Sequence, residues 1–187
     1  LELLRQPLRH PADENTNQTF QFNEGITLED VSFRYSQSHP LVLKNISLSF
    51  RKGETIGFVG ETGAGKSTLL DILMGLLTPS EGKLLVDGVQ VSSENRVSWM
   101  SNIAHVPQSI YLSDSTLEEN IAFGIKTEKI DVEKVRTASQ KAQISSFVNN
   151  LRNGFHTLVG ERGTKLSGGQ RQRIGIARAL YKDNSVL

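Results

Sequence analysis

Eight consecutive residues have the types and spacing of a loop that binds phosphate. They read Gly60-Glu61-Thr62-Gly63-Ala64-Gly65-Lys66-Ser67 and fit the pattern G-x-x-x-x-G-K-[ST]. The glycines let backbone N–H groups approach phosphate oxygens closely, and the positive end of a following helix adds to the attraction. Lys66 would place a point charge on the terminal phosphates, and the Ser67 hydroxyl is the expected ligand for Mg²⁺. We therefore predict a phosphate-binding loop, or P-loop, at 60–67.

The segments around this loop predict a strand before it and a helix after it. Thr55-Ile56-Gly57-Phe58-Val59 is a short, continuous apolar run, typical of a strand buried on both faces. The apolar helix after the loop is expected to end before Thr78-Pro79, and Thr68 near its start can support the phosphates. The alternative, a glycine-rich turn that fits the pattern by chance, is disfavoured in this setting.

A second helix is predicted to begin with groups that bind anions. Ser167 can cap a helix that runs to Tyr181, and Gln170 three residues later has capping-box spacing. Ser167 and the small Gly168 and Gly169 would expose backbone N–H groups at the helix N-terminus. Taken alone, this start is equally typical of an ordinary helix cap, so both interpretations stay open.

The remaining patterns predict a small antiparallel sheet followed by helices. Ile46-Ser47-Leu48-Ser49-Phe50 alternates apolar and polar residues like a half-buried strand, and Asp87-Gly88 within 84–91 predicts a hairpin turn. Ser115-Thr116-Leu117-Glu118 has capping-box spacing before an apolar run. Farther along, four apolar residues fall at i, i+3, i+4 and i+7 and predict a helix face packed in the core: Ile144, Phe147, Val148 and Leu151.

Composition excludes several classes of protein. The chain has 187 residues, a net charge of +1 and a hydrophobic fraction of 37%, which excludes an intrinsically disordered chain. It has no cysteine, so disulfides and thiolate metal sites are impossible. The near-neutral charge argues against a dedicated nucleic-acid binder. The most apolar stretch, 69–77, is too short to span a membrane and contains Asp71.

Together with the P-loop, the run Leu166-Ser167-Gly168-Gly169-Gln170 resembles the signature sequence of ATP-binding cassette (ABC) proteins. The resemblance covers about 25–187 and implies an α/β fold. It implies a P-loop NTPase (RecA-like) core, an antiparallel β subdomain and an α-helical subdomain inserted at about 112–170. In the family, the signature of one subunit closes over ATP that the P-loop of the other holds. A second ABC domain, identical or different, is therefore an implied partner.

The resemblance assigns roles to residues outside the two motifs. Tyr35 resembles the aromatic that stacks on adenine, although a strand aromatic packed in the core is the alternative. Gln108, in Val106-Pro107-Gln108, resembles the glutamine that reaches Mg²⁺ and the attacking water and senses the membrane domain; a surface-loop glutamine is the alternative. Glu161 and Arg162 resemble a loop of exporter-type cassettes that contacts the membrane domain, and otherwise read as a solvated turn pair.

The predicted site can be stated residue by residue. ATP and Mg²⁺ are the implied ligands, with Lys66 and Gln108 predicted as catalytic and Ser67 and Gln108 as metal ligands. The predicted nucleotide-binding residues are Tyr35, Gly60, Glu61, Thr62, Gly63, Ala64, Gly65, Lys66, Ser67, Thr68, Ser167, Gly168, Gly169 and Gln170.

The domain boundaries follow from the same comparison with the family. Residues 1–24 are expected to be a linker from an upstream transmembrane domain, and 25–187 an ABC ATP-binding domain that is incomplete at its C-terminus. In the family, an apolar strand ending in Asp and followed by a catalytic Glu comes next, and Ser185-Val186-Leu187 would begin it. We therefore expect this polypeptide alone to hydrolyse ATP poorly or not at all.

Three function classes are compatible with these features. The first is the nucleotide-binding domain of an export transporter at the cytoplasmic face of the membrane. The sequence at 109–121 resembles that of bacterial exporters of lipids or lipid-linked oligosaccharides. The second is a non-transport ABC ATPase, which usually has paired cassettes or basic linkers that are not visible here. The third is a module that binds nucleotide without hydrolysing it. No nucleic-acid partner is expected.

Overall fold

A computed structural model describes residues 20–187, apart from the side chain of Arg162. The chain divides into two compact units, Leu1–Asn102 and Ile103–Leu187, of which the first is described from residue 20 onward. Most of the predicted linker, residues 1–19, lies outside the described residues. The helices are α1 Lys66–Leu73, α2 Arg96–Met100, α3 Leu117–Ile121, α4 Val132–Lys141, α5 Ser145–Asn149 and α6 Gly168–Lys182.

The first unit contains the predicted antiparallel sheet. Its strands are β1 Gly25–Phe33, β2 Leu43–Arg51, β3 Glu81–Val86 and β4 Val89–Gln90, in the spatial order β2-β1-β3-β4. The predicted hairpin is confirmed: β3 and β4 pair across Asp87 and Gly88, both with positive φ, at 50° and 77°. Positive φ at both central residues is the backbone that a two-residue hairpin requires, and an Asp-Gly pair adopts it readily.

The prediction of a buried strand at 55–59 is wrong for this structure. The segment is not a strand, and Val59 is 99% exposed. A strand exists only through a hydrogen-bonded neighbour, and among residues 20–187 no strand pairs with 55–59. The apolar run is therefore an irregular segment that leads directly into the P-loop.

Trp99 joins three parts of the first unit. Its fully buried indole packs edge-on against Phe20 and Phe22, with ring centroids 6.1 and 5.9 Å away. Its Nε1–H donates to the carbonyl of Leu73, the last residue of α1, at 2.8 Å. The indole N–H is thereby satisfied inside the core, as a buried tryptophan requires. The packed part of this unit consequently starts before β1.

The Asp87 carboxylate anchors the chain where it enters β1. It accepts the backbone N–H groups of Asn23, Glu24 and Gly25 at 2.6–2.8 Å. Burial raises its pKa, but these three bonds and the charge of Lys52 outweigh the burial, so the pKa is lowered from its ordinary value.

We expect Asp87→Asn to lower the free energy of unfolding at pH 7, because an amide oxygen is a weaker acceptor than a carboxylate. The loss should be at most about 1 kcal/mol, since the carboxylate is only partly buried and solvent screens its interactions. A lowered pKa contributes stability that is present above the unfolded value near 3.9 and lost as pH falls through the folded pKa. The difference between variant and wild type should therefore shrink by pH 3 in urea unfolding. Asp114→Asn, at an exposed aspartate, is the control; an unchanged difference at pH 3 would contradict the assignment.

The second unit packs its helices around one apolar core. Ile144 and Val148 are buried in it, and Phe147 and Leu151 pack against it, so the predicted core packing of these residues is confirmed, whereas the helix itself spans only Ser145–Asn149. Val186 forms a parallel bridge with Ile103, consistent with an extended segment at the position predicted for a strand. Among the helices of 20–187, none has the length and apolar character needed to cross a membrane.

The capping box of α3 lies one residue later than predicted. Thr116 rather than Ser115 caps the helix: its hydroxyl accepts from the Glu119 N–H at 3.2 Å, and the Glu119 carboxylate accepts the Thr116 N–H at 2.9 Å. The Thr116 N–H and the Thr116 hydroxyl both donate to the Glu119 carboxylate and lower its pKa. Glu118 instead contacts His156 Nδ1 at 2.7 Å, which ties α3 to the turn at Gly154–His156.

Candidate nucleotide-binding site

The P-loop leads into α1 through a left-handed glycine. Gly65 is the N-cap of α1, with φ of 85°. A Cβ at this position would lie 2.8 Å from Leu43 Cδ2 and 3.2 Å from the carbonyl oxygen of Val42. Both the backbone angle and the close approach of β2 therefore require glycine here. This explains physically the second invariant glycine of the pattern.

The first turn of α1 presents backbone N–H groups that have no acceptor within the helix. Leu69 is the first residue whose N–H bonds within the helix, to the carbonyl of Gly65 at 2.9 Å. The N–H groups of Lys66, Ser67 and Thr68 precede it and have no acceptor in the helix. They lie at the positive end of the helix dipole. The arrangement suits an anion held against the helix start, and phosphate binding there stays a prediction.

Lys66 reaches back over the P-loop. Its Nζ donates to the carbonyls of Gly60 and Glu61, both at 2.7 Å. The N–H of Ala64 donates to the same Glu61 carbonyl at 3.2 Å. The ammonium group is thus held against the P-loop, where it would be close to a phosphate bound by the loop. Gly60, Thr62, Gly63 and Ser67 are exposed.

Tyr35 lies beside α1 and not in the core. It follows the end of β1, is 59% exposed, and forms a hydrogen bond through its hydroxyl with Thr68 Oγ1 at 2.9 Å. Its ring packs edge-on against Phe33, with centroids 5.0 Å apart. The core alternative for Tyr35 therefore does not describe this structure, and its position next to the P-loop helix remains compatible with the predicted role.

In the second unit, Ser167 begins α6 with a complete capping box. Its hydroxyl accepts from the Gln170 N–H at 3.3 Å, and its own N–H donates to Gln170 Oε1 at 2.8 Å. The Gln170 side chain is thereby engaged in the cap. Gly168 and Gly169 are exposed, and a Cβ on either would meet no atom within 4 Å. Packing within this unit does not require glycine at either position.

Gln108 and the Glu161 loop are surface features of the second unit. Gln108 is exposed in an irregular segment after Ala104, whose N–H bonds to the carbonyl of Val186 at 2.8 Å. Glu161 is exposed in a short turn, Glu161–Gly163. Gly163 has a φ of 68° and is buried, and a Cβ at this position would lie 2.7 Å from Leu112 Cδ1. One end of the turn therefore packs closely against the core.

Asn120 is a structural residue that the sequence patterns did not single out. It is fully buried, accepts the Ser113 N–H at 3.0 Å, and donates to the carbonyls of Ser113 and Thr116, both at 3.0 Å. Arg178 of α6 donates through Nε to the Asn120 carbonyl at 2.9 Å. Burial lowers the pKa of Arg178 below its ordinary value. The sequence does offer one signal for this role, because Asn120 stands three residues after the core residue Leu117 and therefore lies on the same side of the helix.

An exposed aromatic pair was also missed. Tyr111 and Phe123 pack edge-on with centroids 6.4 Å apart, and the Arg178 guanidinium lies 4.5 Å from the centre of the Phe123 ring. Both aromatics and the nearby Ile125 are exposed. Exposed apolar groups in proximity are typical of contact surfaces. A run of apolar residues after a helix cap cannot by itself indicate which of them face outward.

Fold and site define a P-loop NTPase domain of the ABC type. Residues 43–187 match the family described as ABC transporter, and the chain belongs to that family. The family and the fold class expected from the sequence are confirmed, and ATP binding is implied for such a domain.

Relatives include both transporters and a solved exporter. The chain is 38% identical over 182 residues to an ATP-dependent lipid A-core flippase of Francisella novicida, covering 96% of this chain and 30% of that protein. Multidrug resistance protein pgp-1 of Caenorhabditis elegans is 38% identical over 184 residues, which are 98% of this chain and 14% of that protein. A structure of a bacterial Atm1-family ABC exporter with ATP bound is similar with a TM-score of 0.81 and 34% identity, covering 92% of this chain and 30% of that one. The chain spans less than a third of each relative.

Proposed function

We propose that this chain is the nucleotide-binding domain of an ABC export transporter. It binds MgATP, and the complete dimeric protein hydrolyses ATP to drive export or flipping of a substrate across a membrane. The similarity to proteins named as exporters and flippases supports this direction and a lipid or lipid-linked glycan as cargo. The observation that carries the proposal is the P-loop, where Lys66 and the free N–H groups of the first turn of α1 converge.

The residues present fit a nucleotide triphosphate with Mg²⁺. The N–H groups of Lys66, Ser67 and Thr68 supply donors for phosphate oxygens, and the absence of a Cβ at Gly65 keeps the loop closely packed. The exposed Ser67 hydroxyl is a hard oxygen ligand, which suits Mg²⁺ because that ion keeps several waters and binds through phosphates. When bound, Mg²⁺ neutralises charge that develops on the transferred phosphoryl group.

Each residue of the site has a physical role in the proposal. Lys66 holds the terminal phosphates by its charge, and Tyr35 offers a ring for the adenine base. Gln108 orients the attacking water and contributes to the metal site. Positioning and charge stabilisation of this kind account for most catalysis of phosphoryl transfer.

The α6 N-terminus supports a dimer as the working form. Gly168 and Gly169 are free of packing demands in their own unit, so their small size is available for close approach to a nucleotide on another ABC domain. The Ser167 hydroxyl, the open N–H groups and Gln170 would then contact that nucleotide.

A membrane domain is the second proposed partner. Gln108 and the loop of Glu161 and Arg162 would contact it, and the exposed Tyr111–Phe123 pair adds apolar surface to the same unit. The domain would accordingly be located at the cytoplasmic face of a membrane, the inner membrane in a bacterium.

The test is ATP hydrolysis by the intact protein in lipid vesicles. We expect Mg²⁺-dependent turnover, and a kcat at least about tenfold lower in Gln108→Ala because the nucleophile loses its orienting group. Gln140→Ala, an exposed glutamine on α4, is the matched control and should leave kcat unchanged. Nucleotide binding without any turnover would favour the binding-only class instead, and failure to bind ATP would reject the proposal.

A further inference from the structure

We propose that the Thr68 hydroxyl is a positioning group for Tyr35, holding its ring beside the P-loop as a preformed surface for the nucleotide base. The inference rests on the proposed nucleotide binding and deepens it. The P-loop pattern alone assigns Thr68 only to the phosphates. The structure instead separates two groups of this residue: a backbone N–H that lies in the first turn of α1 and a hydroxyl that faces Tyr35.

The backbone that carries Tyr35 is fixed just before the residue. The Arg34 N–H donates to Ser80 Oγ at 3.1 Å, and the Ser80 N–H donates to the carbonyl of Ser32 at 2.9 Å. On the other side, the Val42 N–H donates to the carbonyl of Phe33 at 2.8 Å. Neighbouring segments therefore hold the end of β1 on both sides, and the side chain of Tyr35 starts from a defined position.

The ring is then held at two further points. One is the edge-on contact with the buried Phe33, with an angle of 86° between the ring planes. The other is the 2.9 Å hydrogen bond from the far end of the ring to Thr68 Oγ1. Tyr35 is nevertheless 59% exposed, so these contacts restrain the ring and leave much of its surface accessible. An exposed tyrosine without the second contact would sample several rotamers.

The environment of Thr68 makes its hydroxyl a suitable anchor. Thr68 is only 5% exposed and sits on a helix turn whose position Gly65 and Leu43 fix by close packing. A buried hydroxyl without a partner is unfavourable, so the bond to Tyr35 also satisfies Thr68. A ring held in place before the ligand arrives loses less freedom on binding, which raises affinity for ligands that stack on it. The effect should depend on the base and not on the phosphates.

The test compares ATP with inorganic tripolyphosphate, which lacks a base, by titration calorimetry on the intact protein with Mg²⁺. Tyr35→Phe keeps the ring and removes the hydroxyl; Thr68→Val keeps the shape and removes the hydroxyl; Thr68→Ser keeps the hydroxyl. We expect ATP affinity to fall about three- to tenfold in Tyr35→Phe and in Thr68→Val, the range of one hydrogen bond. The double variant should match the single ones, and Thr68→Ser should stay within about twofold of wild type.

Tripolyphosphate affinity should stay within about twofold of wild type in Tyr35→Phe, because the exposed ring is kept and the stability cost is limited to the lost partner of the Thr68 hydroxyl. Equal losses for ATP and tripolyphosphate, additive losses in the double variant, or no loss in Tyr35→Phe would each overturn the positioning role. If the wild-type protein binds neither ATP nor tripolyphosphate, the proposed function itself fails. That result differs from the three outcomes that would overturn only the positioning role.

Discussion

Replacing Lys66 by Ala should reduce ATP affinity on the order of 100-fold. Hydrogen bonds to a charged group contribute roughly 1.5–3 kcal/mol each, and the substitution removes the ammonium group that lies at the P-loop. The variant should fold normally, because the carbonyls of Gly60 and Glu61 that accept from Lys66 belong to an exposed loop where water can replace the donor. The ATP affinity of this variant should therefore fall, while its free energy of unfolding stays close to that of wild type.

The measurement is the shift of the melting temperature with ATP concentration, which reports binding to the folded protein. Lys44→Ala is the matched control, since it removes the same charge from an exposed position on β2 of the same unit. We expect a full ATP-induced shift in that control and almost none in Lys66→Ala. A dissociation constant for Lys66→Ala within about threefold of the control would contradict the assignment of Lys66 to the phosphates.

Replacing Asn120 by Ala should destabilise the second unit by about 3 kcal/mol. The change removes a fully buried side chain and leaves the Ser113 N–H without its acceptor. The carbonyls of Ser113 and Thr116 each lose one donor and keep the backbone N–H groups of Ser115 and Asn120. Each unsatisfied buried polar group costs roughly 1–3 kcal/mol. The loop from Ser113 to Thr116 and the start of α3 should loosen together.

Hydrogen exchange on the intact protein would measure this loss where it occurs. Protection factors of amides in α3 and α6 should fall about 100-fold if exchange there proceeds through opening of the unit. Asn149→Ala, at the exposed end of α5, should change protection little. Equal protection in Asn120→Ala and Asn149→Ala would show that the hydrogen bonds of Asn120 do not hold the unit together.

The candidate binding residues could be predicted from the sequence more readily than the contacts that hold them in place. The P-loop and the α6 cap depend on neighbours in sequence, so spacing alone located Lys66, Gly65 and Ser167. The bond between Tyr35 and Thr68 joins residues 33 positions apart and has no local pattern. The exposure of 55–59 likewise depends on which strands pair with it, which an apolar run does not encode.

The one-residue error at α3 has a specific cause. Ser115 and Thr116 can both cap, and Glu118 and Glu119 stand three residues after each. The structure favours Thr116 because the Ser115 hydroxyl accepts from Asn120 Nδ2 at 3.1 Å. Glu118 is also engaged elsewhere, with His156. Tertiary contacts thus decided between two equally suitable local patterns.

Trp99 is the only tryptophan of the chain, so the protein carries a natural optical reporter in one of its two units. Its indole lies between the residues preceding β1 and the C-terminal end of α1. In the isolated polypeptide, indole emission would follow the unfolding of the first unit, whereas far-ultraviolet circular dichroism would be weighted toward the helices of the second. Whether the two signals change at the same denaturant concentration would reveal how strongly the halves of this cassette cooperate.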